Sequence, residues 1–439
     1  MAGRYRGPAA RGAVRSGAMP DPGGDIRFDP FGPDVMTDPY PVHRALRDAF
    51  RAYPLPQYDA VALPRFADVW EVSRNRTDFS IVEGPVSNRE RLLVRNDGPP
   101  VAARAGPDAP VTTFSMLDPP HHTVLRAALA PAFTPGALRR TEAAVRADVG
   151  ARLDALVPRG RLDVVRDLAA PVATAATCRQ LGLRDVDHDR VTALVNAFAR
   201  RDGTVPGISA AGQAAMVELA ATVGADVHAQ LADGTPGPVV AALAALDLDG
   251  RPLTEVEITT QLTTMVIGGV ESLPKVIGAG ARLLAAHPGV RAALAADPAR
   301  VPAAFEEVLR LAVPLQFGTR TLVRDAEVAG VPMRAGQRVI LLYGSANRDE
   351  REFPDPDRFD VDRRPERHLG FGTGIHFCIG AHAARQAGVI LLEALCARIP
   401  GWTVDEAGVE RRPSEFQVGD TAVPIEFTTP GSGGRRARR

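Results

Sequence analysis

The sequence contains few cysteines, few aromatic residues, no excess of either charge and no long apolar run. Its 439 residues include three cysteines, Cys178, Cys378 and Cys396, which provide no disulfide framework and fit a reducing cytoplasm. The formal net charge is zero, which argues against nucleic acid or an anionic membrane as a partner. No apolar run reaches about 18 residues, so the sequence predicts no membrane-spanning helix.

The hydrophobic fraction is nevertheless large enough for a sizeable core. Hydrophobic residues make up 45% of the chain and aromatic residues 5%, so aliphatic side chains and alanine must fill that core. Residues 1–25 lack the apolar segment of a secretory signal and are predicted to be a disordered basic tail, as are residues 428–439. Residues 26–427 are predicted to form a single, large domain.

The most distinctive stretch runs from His368 to Arg385. Gly370, Gly372 and Gly374 alternate with bulkier residues, so the backbone can turn tightly and approach a flat partner closely. Cys378 follows, just before an apolar run with helical spacing. A sulfur at the start of a helix is favoured as a thiolate by free N–H groups and the helix dipole. The stretch therefore suits an axial ligand of haem iron.

Two other interpretations of Cys378 are open at this point. A lone cysteine in a long chain is usually a small buried hydrophobe. A zinc cluster is also conceivable, although the spacings do not match the usual zinc motifs. Its candidate ligands would be His368, His376, Cys378 and His382.

The full pattern F-G-x-G-x-H-x-C-x-G, from Phe371 to Gly380, resembles the haem-thiolate signature of the cytochrome P450 family. This resemblance implies a mainly α fold with a smaller β-rich lobe and a bound haem b. The haem would lie between a long distal helix and the proximal Cys378 loop. Cys378 would be the iron ligand, and Phe371, Gly372, His376 and Gly380 would belong to the haem site.

A second motif, D-P-P-x-H-x-x-x-R, begins at Asp118. Asp118 is expected to cap a helix whose first turn contains Pro119 and Pro120. His122 and Arg126 are four residues apart and share a helix face, a pattern that a solvated surface explains equally well when it is taken alone. In the family this segment binds a haem propionate, and Arg320 matches the arginine that pairs with the other propionate.

The third motif lies in a long helix that Thr254 and Glu257 should begin with a capping box. The helix is predicted to reach about His287. At its centre lie Gly268, Gly269, Glu271, Ser272 and Pro274, and the glycines and the proline are unfavourable inside a helix. Ser272 is expected to donate to the Gly268 carbonyl, and the helix to widen or kink. Such concentrated defects indicate a functional site.

This segment resembles the distal-helix motif (A/G)-G-x-(D/E)-T, which binds O₂ and relays protons. Gly268, Gly269 and Glu271 match, Ser272 replaces the usual threonine, and Pro274 departs from the common pattern. The resemblance implies that Glu271 and Ser272 are catalytic.

Glu307 and Arg310 form an E-x-x-R pair on one helix face, which alone is weak evidence. The later segment P-D-P-D-R-F resembles the family's meander. The resemblance implies that Arg358 joins Glu307 and Arg310 in a buried structural cluster.

The remaining patterns predict ordinary elements. The segment from 82 to 113 is expected to be a long loop, either a binding loop or lid or a merely mobile one. Only the resemblance implies that Arg201–Gly207 is a hinge over the active site. Predicted helices are Tyr40–Phe50, Phe66–Arg74, Leu162–Gln180, Asp187–Arg200 and Ala210–Leu231; predicted strands and hairpins are Tyr58–Leu63, Arg320–Val323, Glu327–Val339 and Val409–Phe427.

The implied activity is insertion of one oxygen atom from O₂ into an apolar small molecule such as a terpenoid, fatty acid, aromatic or polyketide-like compound. A separate ferredoxin and its reductase would supply electrons and dock near Arg363, Arg364 or Arg367, and the enzyme would be a cytoplasmic monomer. The alternatives are a peroxide-using or isomerising haem-thiolate enzyme and a non-catalytic haem sensor. The residues expected to face substrate are Thr264, Gly268, Gly269, Leu315, Gln316, Phe317 and Phe416.

Overall fold

The computed structural model describes residues 26–96, 98–100, 110–200 and 207–429. Both predicted tails lie outside these residues, except for positions 428 and 429. Most of the predicted hinge Arg201–Gly207 and part of the predicted binding loop also lie outside them. No helix in the described ranges is both long enough and apolar enough to cross a membrane.

Helices make up most of the described chain and surround one long central helix, α11. The helices are α1 Pro33–Thr37, α2 Tyr40–Ala49, α3 Phe66–Arg74, α4 Arg89–Leu93, α5 His121–Leu129, α6 Pro135–Leu156, α7 Ala170–Leu181, α8 His188–Ala199, α9 Ala210–Ala232, α10 Pro238–Ala244, α11 Glu255–Ala286, α12 Pro288–Ala296, α13 Val301–Leu311, α14 Tyr343–Ala346 and α15 Ala381–Arg398.

The strands are short and form five separate sheets in the described part of the chain. They are β1 Tyr53–Leu55, β2 Ala60–Leu63, β3 Phe79–Ser80, β4 Arg161–Asp163, β5 Asp247–Leu248, β6 Arg251–Pro252, β7 Gly318–Leu322, β8 Ala326–Val328, β9 Val331–Met333, β10 Arg338–Leu341, β11 Thr403–Val404, β12 Glu410–Arg411, β13 Asp420–Ala422 and β14 Pro424–Glu426. The largest sheet has the order β1-β2-β10-β7-β3, and a second sheet has the order β11-β14-β4. The predicted mainly α fold with a smaller β-rich part is confirmed.

Helix α5 begins later than its sequence suggests. The side chain of Asp118 does not cap the helix; it accepts a hydrogen bond from the Ile81 N–H at 3.2 Å. The Asp118 carbonyl accepts the His122 N–H at 3.1 Å in a turn that precedes the helix, and the Pro120 carbonyl accepts the Val124 N–H at 3.1 Å. Both prolines precede the first helical residue, so the prediction that they lie in the first turn is wrong.

The segment predicted as one helix from Leu162 to Gln180 contains three elements. Strand β4 pairs with β14, a π-helical stretch follows at Val164–Ala169, and α7 begins at Ala170. The Asp163 side chain accepts bonds from the N–H groups of Val165 and Arg166 and so caps the π-helical stretch. The apolar spacing was read correctly as helical over most of the segment but did not reveal the strand, whose partner is distant in sequence.

Helix α11 spans 32 residues, or about 48 Å. The predicted capping box is present: Thr254 Oγ1 accepts the Glu257 N–H at 3.3 Å, and Glu257 accepts the Thr254 N–H at 2.8 Å. Ser272 Oγ donates to the Gly268 carbonyl at 2.9 Å, as expected. The helix stays α-helical through Pro274 and does not widen.

The cluster on the cysteine side of the core differs from the predicted one by one arginine. Glu307 and Arg310 form the expected buried pair, with a distance of 2.7 Å. The second arginine is Arg363, whose Nε lies 3.1 Å from Glu307 and whose side chain is 9% exposed. Arg358 is 67% exposed and points toward Asp360, so its assignment to the cluster is wrong. Arg363 is therefore also unavailable as a docking residue.

Candidate active site

A cavity of about 390 Å³ separates α11 from the loop that carries Cys378. Gly268 and Ser272 line it on the α11 side, which we call the distal side. Phe371, Cys378 and Gly380 line it on the other, proximal side. This volume lies within the usual range for sites that bind small molecules and cofactors, about 300–1,000 Å³.

Cys378 is placed by its own loop and by the start of α15. Its N–H donates to the Phe371 carbonyl at 2.9 Å, and the loop contains a positive φ of 68° at Gly372, a conformation that favours glycine. Burial raises the pKa of the Cys378 thiol, although the Gly380 N–H and the positive charge of Arg126 oppose this. The Gly380 N–H at the helix start thus favours the thiolate, as the sequence predicts, whereas burial opposes it. A coordinated metal ion would deprotonate the thiol.

The other interpretations of Cys378 find no support in the geometry. Cys178 and Cys396 are packed in the core, and burial raises their pKa values to about 12 and about 11; Cys378 instead lines the cavity. Within the described ranges, no group of three or more histidine, cysteine or acidic side chains is arranged to hold a metal ion. His368 bonds instead to the Glu306 carboxylate at 2.8 Å.

Four cationic or potentially cationic side chains meet at the cavity edge. The rings of His122 and His376 are 4.3 Å apart. The Arg126 and Arg320 guanidiniums donate to the carbonyls of Phe377 and Thr319, each at 2.7 Å. No carboxylate within the described residues forms an ion pair with either arginine. Both ring nitrogens of His122 are buried without a hydrogen-bond partner.

The electrostatics of this group fit an anionic ligand. Burial, together with the charges of Arg320 and His122, lowers the pKa of His376 to about 2. Burial and Arg126 also lower the pKa of His122. Positive charges that lie close together in a buried place disfavour one another. A bound anion would stabilise them. Two carboxylates, such as the propionates of haem, would supply it, so these residues fit that cofactor.

The two central glycines of α11 have different surroundings. A Cβ on Gly268 would meet nothing within 4 Å, so this residue faces open cavity. A Cβ on Gly269 would overlap the Thr177 hydroxyl, so Gly269 allows α7 to pack closely against α11. Thr264 also lines the cavity, and its hydroxyl donates to the Thr260 carbonyl at 3.0 Å.

The two predicted catalytic residues lie on different flanks of α11. Ser272 lines the 390 Å³ cavity, whereas Glu271 lines a second cavity. Glu271 is 5% exposed, and its Oε1 accepts a hydrogen bond from Lys275 Nζ at 2.7 Å. Sequence reasoning missed Lys275, although a signal was present: it is the single lysine of the chain, four residues after Glu271.

Of the residues expected near substrate beyond α11, only Leu315 lines the cavity. Gln316 is 3% exposed and donates to the Val35 carbonyl at 3.2 Å. Phe317 is fully buried and packs edge-on against Phe31, at 5.9 Å between ring centroids. Phe416 is not in the cavity wall, but its neighbour Gln417 is. Gln316 and Phe317 therefore pack against the N-terminal segment and Phe416 lies outside the cavity wall, contrary to the expectation that these residues face it.

Comparisons with known proteins agree with this geometry. The family profile described as Cytochrome P450 matches residues 300–397. Cytochrome P450 130 of Mycobacterium tuberculosis is 33% identical over 413 residues, which cover 90% of this chain and 96% of that protein. The chain belongs to the cytochrome P450 family. The steroid C26-monooxygenase of Mycobacterium tuberculosis is 31% identical over 333 residues, covering 73% of this chain and 88% of that one.

The fold of this P450 is also that of solved family members. The crystal structure of CalO2 superposes with a TM-score of 0.78 at 29% identity, covering 93% of this chain and all of that one. The protein is therefore a haem-thiolate monooxygenase, an oxidoreductase that incorporates oxygen from O₂. Haem iron is its cofactor, and bacterial P450s generally need redox partners.

Proposed function

We propose that this P450 uses haem b, ligated by Cys378, to insert one oxygen atom into an apolar small molecule in the cytoplasm. The observation that carries the proposal is that the 390 Å³ cavity has a thiol and cations without a carboxylate partner at one end and apolar side chains at the other. Phe114, Leu181, Met265 and Leu315 contribute to that apolar wall. The unpaired thiols of Cys178 and Cys396 support a reducing compartment.

When bound, haem supplies an iron centre that takes up O₂ and electrons, and a thiolate ligand favours O–O cleavage. The chain's own residues hold and orient it. We assign Cys378 as the iron ligand. His122, Arg126, Arg320 and His376 would bind the propionates, since these four side chains meet without an anionic partner.

Replacing Cys378 with serine tests the ligand assignment. The red-shifted carbon-monoxide band typical of thiolate-ligated haem should disappear, because a serine oxygen cannot replace the sulfur ligand. Cys178→Ser and Cys396→Ser are matched controls, since both thiols are buried away from the cavity, and both should keep the band. An unchanged band in Cys378→Ser would overturn the proposal.

The double variant Arg126→Ala/Arg320→Ala tests the propionate assignment. Each lost bond to a charged group is worth about 1.5–3 kcal/mol, so the variant should lose haem to apomyoglobin far faster than the parent. The haem that remains should keep the thiolate spectrum, because Cys378 is untouched. Haem transfer at the parental rate would contradict the assignment.

We propose that Ser272 and Glu271 deliver protons. Ser272 lines the cavity wall, and its hydroxyl, now bonded to the Gly268 carbonyl, can also hold a water there. Ser272→Ala should leave haem content unchanged but divert electrons from product to hydrogen peroxide. Glu271→Gln should slow turnover, because it removes the group that accepts and releases a proton. Parental coupling in both variants would refute these roles.

The substrate class can be tested by a binding screen. The apolar wall should favour terpenoid, fatty-acid, aromatic or polyketide-like compounds over charged ones, because its side chains offer few partners for charge. The relative named a steroid C26-monooxygenase is a reason to include steroids in the panel. Displacement of the iron-bound water, seen as a spectral shift, measures binding. Tight binding of only small charged compounds would contradict the proposal.

We propose that a ferredoxin, reduced by its own reductase, docks beside the Cys378 loop. The backbone at Gly374 in that loop lies against Arg74. The guanidiniums of Arg74 and Arg367 lie 5.5 and 4.9 Å from the centroid of the Trp70 ring. Arg364 is also exposed nearby in sequence. Arg367 is paired with Glu352 at 2.8 Å, so the exposed Arg74 and Arg364 are the cations suited to an acidic partner.

Charge reversal tests this docking surface. Arg74→Glu should slow reduction by ferredoxin and weaken its dependence on salt, while reduction by dithionite stays at the parental rate. Arg159→Glu is a matched control, because Arg159 is also exposed but precedes β4, in the sheet β11-β14-β4, and is not part of the proposed docking surface. Equal effects of the two reversals would contradict the assignment of this surface.

A further inference from the structure

Part of the haem-cavity wall comes from a segment that belongs to no long helix and to no sheet. Residues 110–113 form neither helix nor strand, and a single 3₁₀ turn follows at Phe114–Met116. Phe114 and Ser115 line the cavity, and Phe114 is 6% exposed. The buried backbone groups of such a segment need hydrogen-bond partners from elsewhere in the molecule. Whatever holds this segment therefore also holds part of the cavity wall.

Gln261 of α11 supplies two of these partners. Its Oε1 accepts a hydrogen bond from the Phe114 N–H at 2.8 Å, and its Nε2 donates to the Thr112 carbonyl at 3.1 Å. The Gln261 side chain is fully buried. Its amide thus pairs with two backbone groups of the segment, as a peptide group of a neighbouring strand would. Because one bond uses the oxygen and the other the nitrogen, the orientation of the amide is fixed.

Glu257 holds the same segment one helical turn earlier. Its Oε1 accepts the Val111 N–H at 2.7 Å, and Arg251 donates to both of its oxygens, at 2.7 and 2.9 Å. Glu257 is 1% exposed. The hydrogen bonds from Arg251 lower the pKa of this carboxyl to about 2, although burial opposes them. The carboxylate is therefore ionised, and its bond to the Val111 N–H is of the stronger, charge-assisted kind.

Gln261 and Glu257 are four residues apart and so share one face of α11. Together they bind three backbone groups between residues 111 and 114. One of these groups is the N–H of Phe114, so the bond places the Phe114 ring directly. That ring lies 6.4 Å from the ring of His122, at the edge of the cavity where we assign the propionate site. The helix that carries Ser272 thus also positions an aromatic side chain in another part of the cavity wall.

We infer that Gln261 is a positioning residue for substrate: with Glu257, it holds Phe114 and Ser115 as a preformed wall against which a large apolar substrate packs. This inference rests on the proposed function, because it requires that substrate bind in the haem cavity. A wall that is already ordered binds a ligand without the entropic cost of ordering it. A ligand too small to reach the wall gains nothing from this order. Loss of Gln261 should therefore weaken the binding of large ligands selectively.

The anchoring is tested first, by amide hydrogen exchange in the holoenzyme. Gln261→Leu keeps a side chain of similar size but removes both bonds. The Phe114 amide should exchange about tenfold faster than in the parent, which is the change that one ordinary hydrogen bond gives. The amide of Ile277, which is fully buried farther along α11, should exchange at the parental rate. Parental exchange at Phe114 would overturn the inference.

Ligand selection is tested with two probes that bind haem iron through nitrogen, imidazole and 4-phenylimidazole. In spectral titrations, Gln261→Leu should bind 4-phenylimidazole several-fold more weakly than the parent, because the wall must then be ordered on binding. It should bind imidazole as the parent does. Thr254→Val is the matched control: it removes the hydroxyl that accepts the Glu257 N–H at 3.3 Å and caps α11, but leaves both bonds of Gln261. It should lower the urea midpoint yet bind both probes as the parent does.

A conservative variant gives a readout that a merely structural role would not move. Gln261→Glu places a carboxyl at the same position, and burial beside the Glu257 charge keeps it protonated at pH 6. A protonated carboxyl has an acceptor oxygen and one O–H donor, so both bonds can form again. Gln261→Glu should therefore bind 4-phenylimidazole more tightly than Gln261→Leu does at that pH. Equally weakened binding by the two variants would contradict the positioning role.

The outcomes separate this inference from the function on which it rests. If Gln261→Leu unfolds more easily but keeps the parental affinity for both probes, Gln261 is only structural and the inference is wrong. In that case a lost carbon-monoxide band in Cys378→Ser would still support the proposed function. If the band of Cys378→Ser is unchanged, the proposed function itself fails, whatever the behaviour of Gln261→Leu.

Discussion

Two buried ion pairs, one on each side of the haem cavity, differ in what surrounds them. On the proximal side, Glu307 and Arg310 of α13 are three residues apart and 1% and 0% exposed. On the distal side, Glu271 and Lys275 of α11 are four residues apart and 3% and 9% exposed. The two pairs thus have similar local geometry and similar depth.

The proximal pair is fully bonded. Arg310 donates twice to the Glu307 carboxylate, at 2.7 and 2.8 Å, and also to the carbonyls of Asn347 and Pro356. Glu307 Oε1 also accepts from Asp360 and Arg363. The distal pair has an unpartnered oxygen and an adjoining cavity. A fully bonded buried network rigidifies its surroundings, whereas an ion pair with a free acceptor and room for water can change partners. The same chemistry therefore serves structure on the proximal side and, through Glu271, the proposed proton delivery on the distal side.

The largest expected effect comes from breaking the proximal pair. Arg310→Met leaves the Glu307 charge buried, which should lower the free energy of unfolding by about 3–5 kcal/mol, measured by urea denaturation of the holoenzyme. Arg358→Met is the control, since that side chain is 67% exposed, and it should change stability by less than about 0.5 kcal/mol. Similar losses in both variants would mean that the proximal pair makes no special contribution to the free energy of unfolding.

Acid should weaken the proximal side through a neighbouring carboxylate. Burial opposes ionisation of Glu306, but hydrogen bonds from His368 and Arg385 hold its pKa down to about 2. Because the unfolded pKa is about 4.3, this stabilisation is fully present above that pH. It is lost as the pH falls toward 2, and amounts to about 3 kcal/mol.

The variant Glu306→Gln isolates this contribution, since it keeps the shape and removes the titration. The stability difference between parent and variant should be constant above about pH 5 and should shrink steadily in more acidic buffer. Urea denaturation at a series of pH values measures it. A difference that does not change between pH 5 and pH 3 would show that Glu306 is not held ionised by its partners.

These comparisons also show which features of the molecule a sequence can reveal. The glycine and cysteine spacing around Cys378 and the capping box of α11 depend on residues close together in the chain, and both were predicted. Arg363 could not be distinguished from Arg358, because loop geometry decides which arginine reaches Glu307. The opposite flanks of Glu271 and Ser272 follow from helix geometry. The second cavity depends on side chains from α11 and from three segments distant from it in sequence, and it was not predicted.

A smaller effect is expected from adding a methyl group where α15 packs closely against α13 on the proximal side. A Cβ on Gly388 of α15 would overlap the ring of Phe305, which is 1% exposed. Gly388→Ala should therefore cost about 1–3 kcal/mol of stability, measured by the shift of the urea midpoint. Gly150→Ala in α6 is the matched control, since nothing lies within 4 Å of its Cβ position; it should gain up to about 1 kcal/mol. A stabilised Gly388→Ala would show that the proximal side is less tightly packed than the distances indicate.

The smallest expected effect is on the distal side, where the same substitution should be tolerated. A Cβ on Gly268 would meet nothing within 4 Å, and alanine is favoured over glycine inside a helix by up to about 1 kcal/mol. The Ser272 hydroxyl bonds to the carbonyl of residue 268, so this bond survives the change. Gly268→Ala should therefore be as stable as the parent or slightly more stable, while its methyl narrows the haem cavity.

That narrowing is measurable as a change in size preference. In spectral titrations, Gly268→Ala should bind imidazole as the parent does but bind a bulky phenyl-substituted imidazole more weakly, because only the larger ligand extends to α11. Gly269→Ala is the neighbouring control: its Cβ would overlap Thr177, so it should lose stability because α7 and α11 must move apart. If Gly268→Ala loses as much stability as Gly269→Ala, the centre of α11 is packed rather than open. The proximal and distal sides would then not differ in how tightly they are packed.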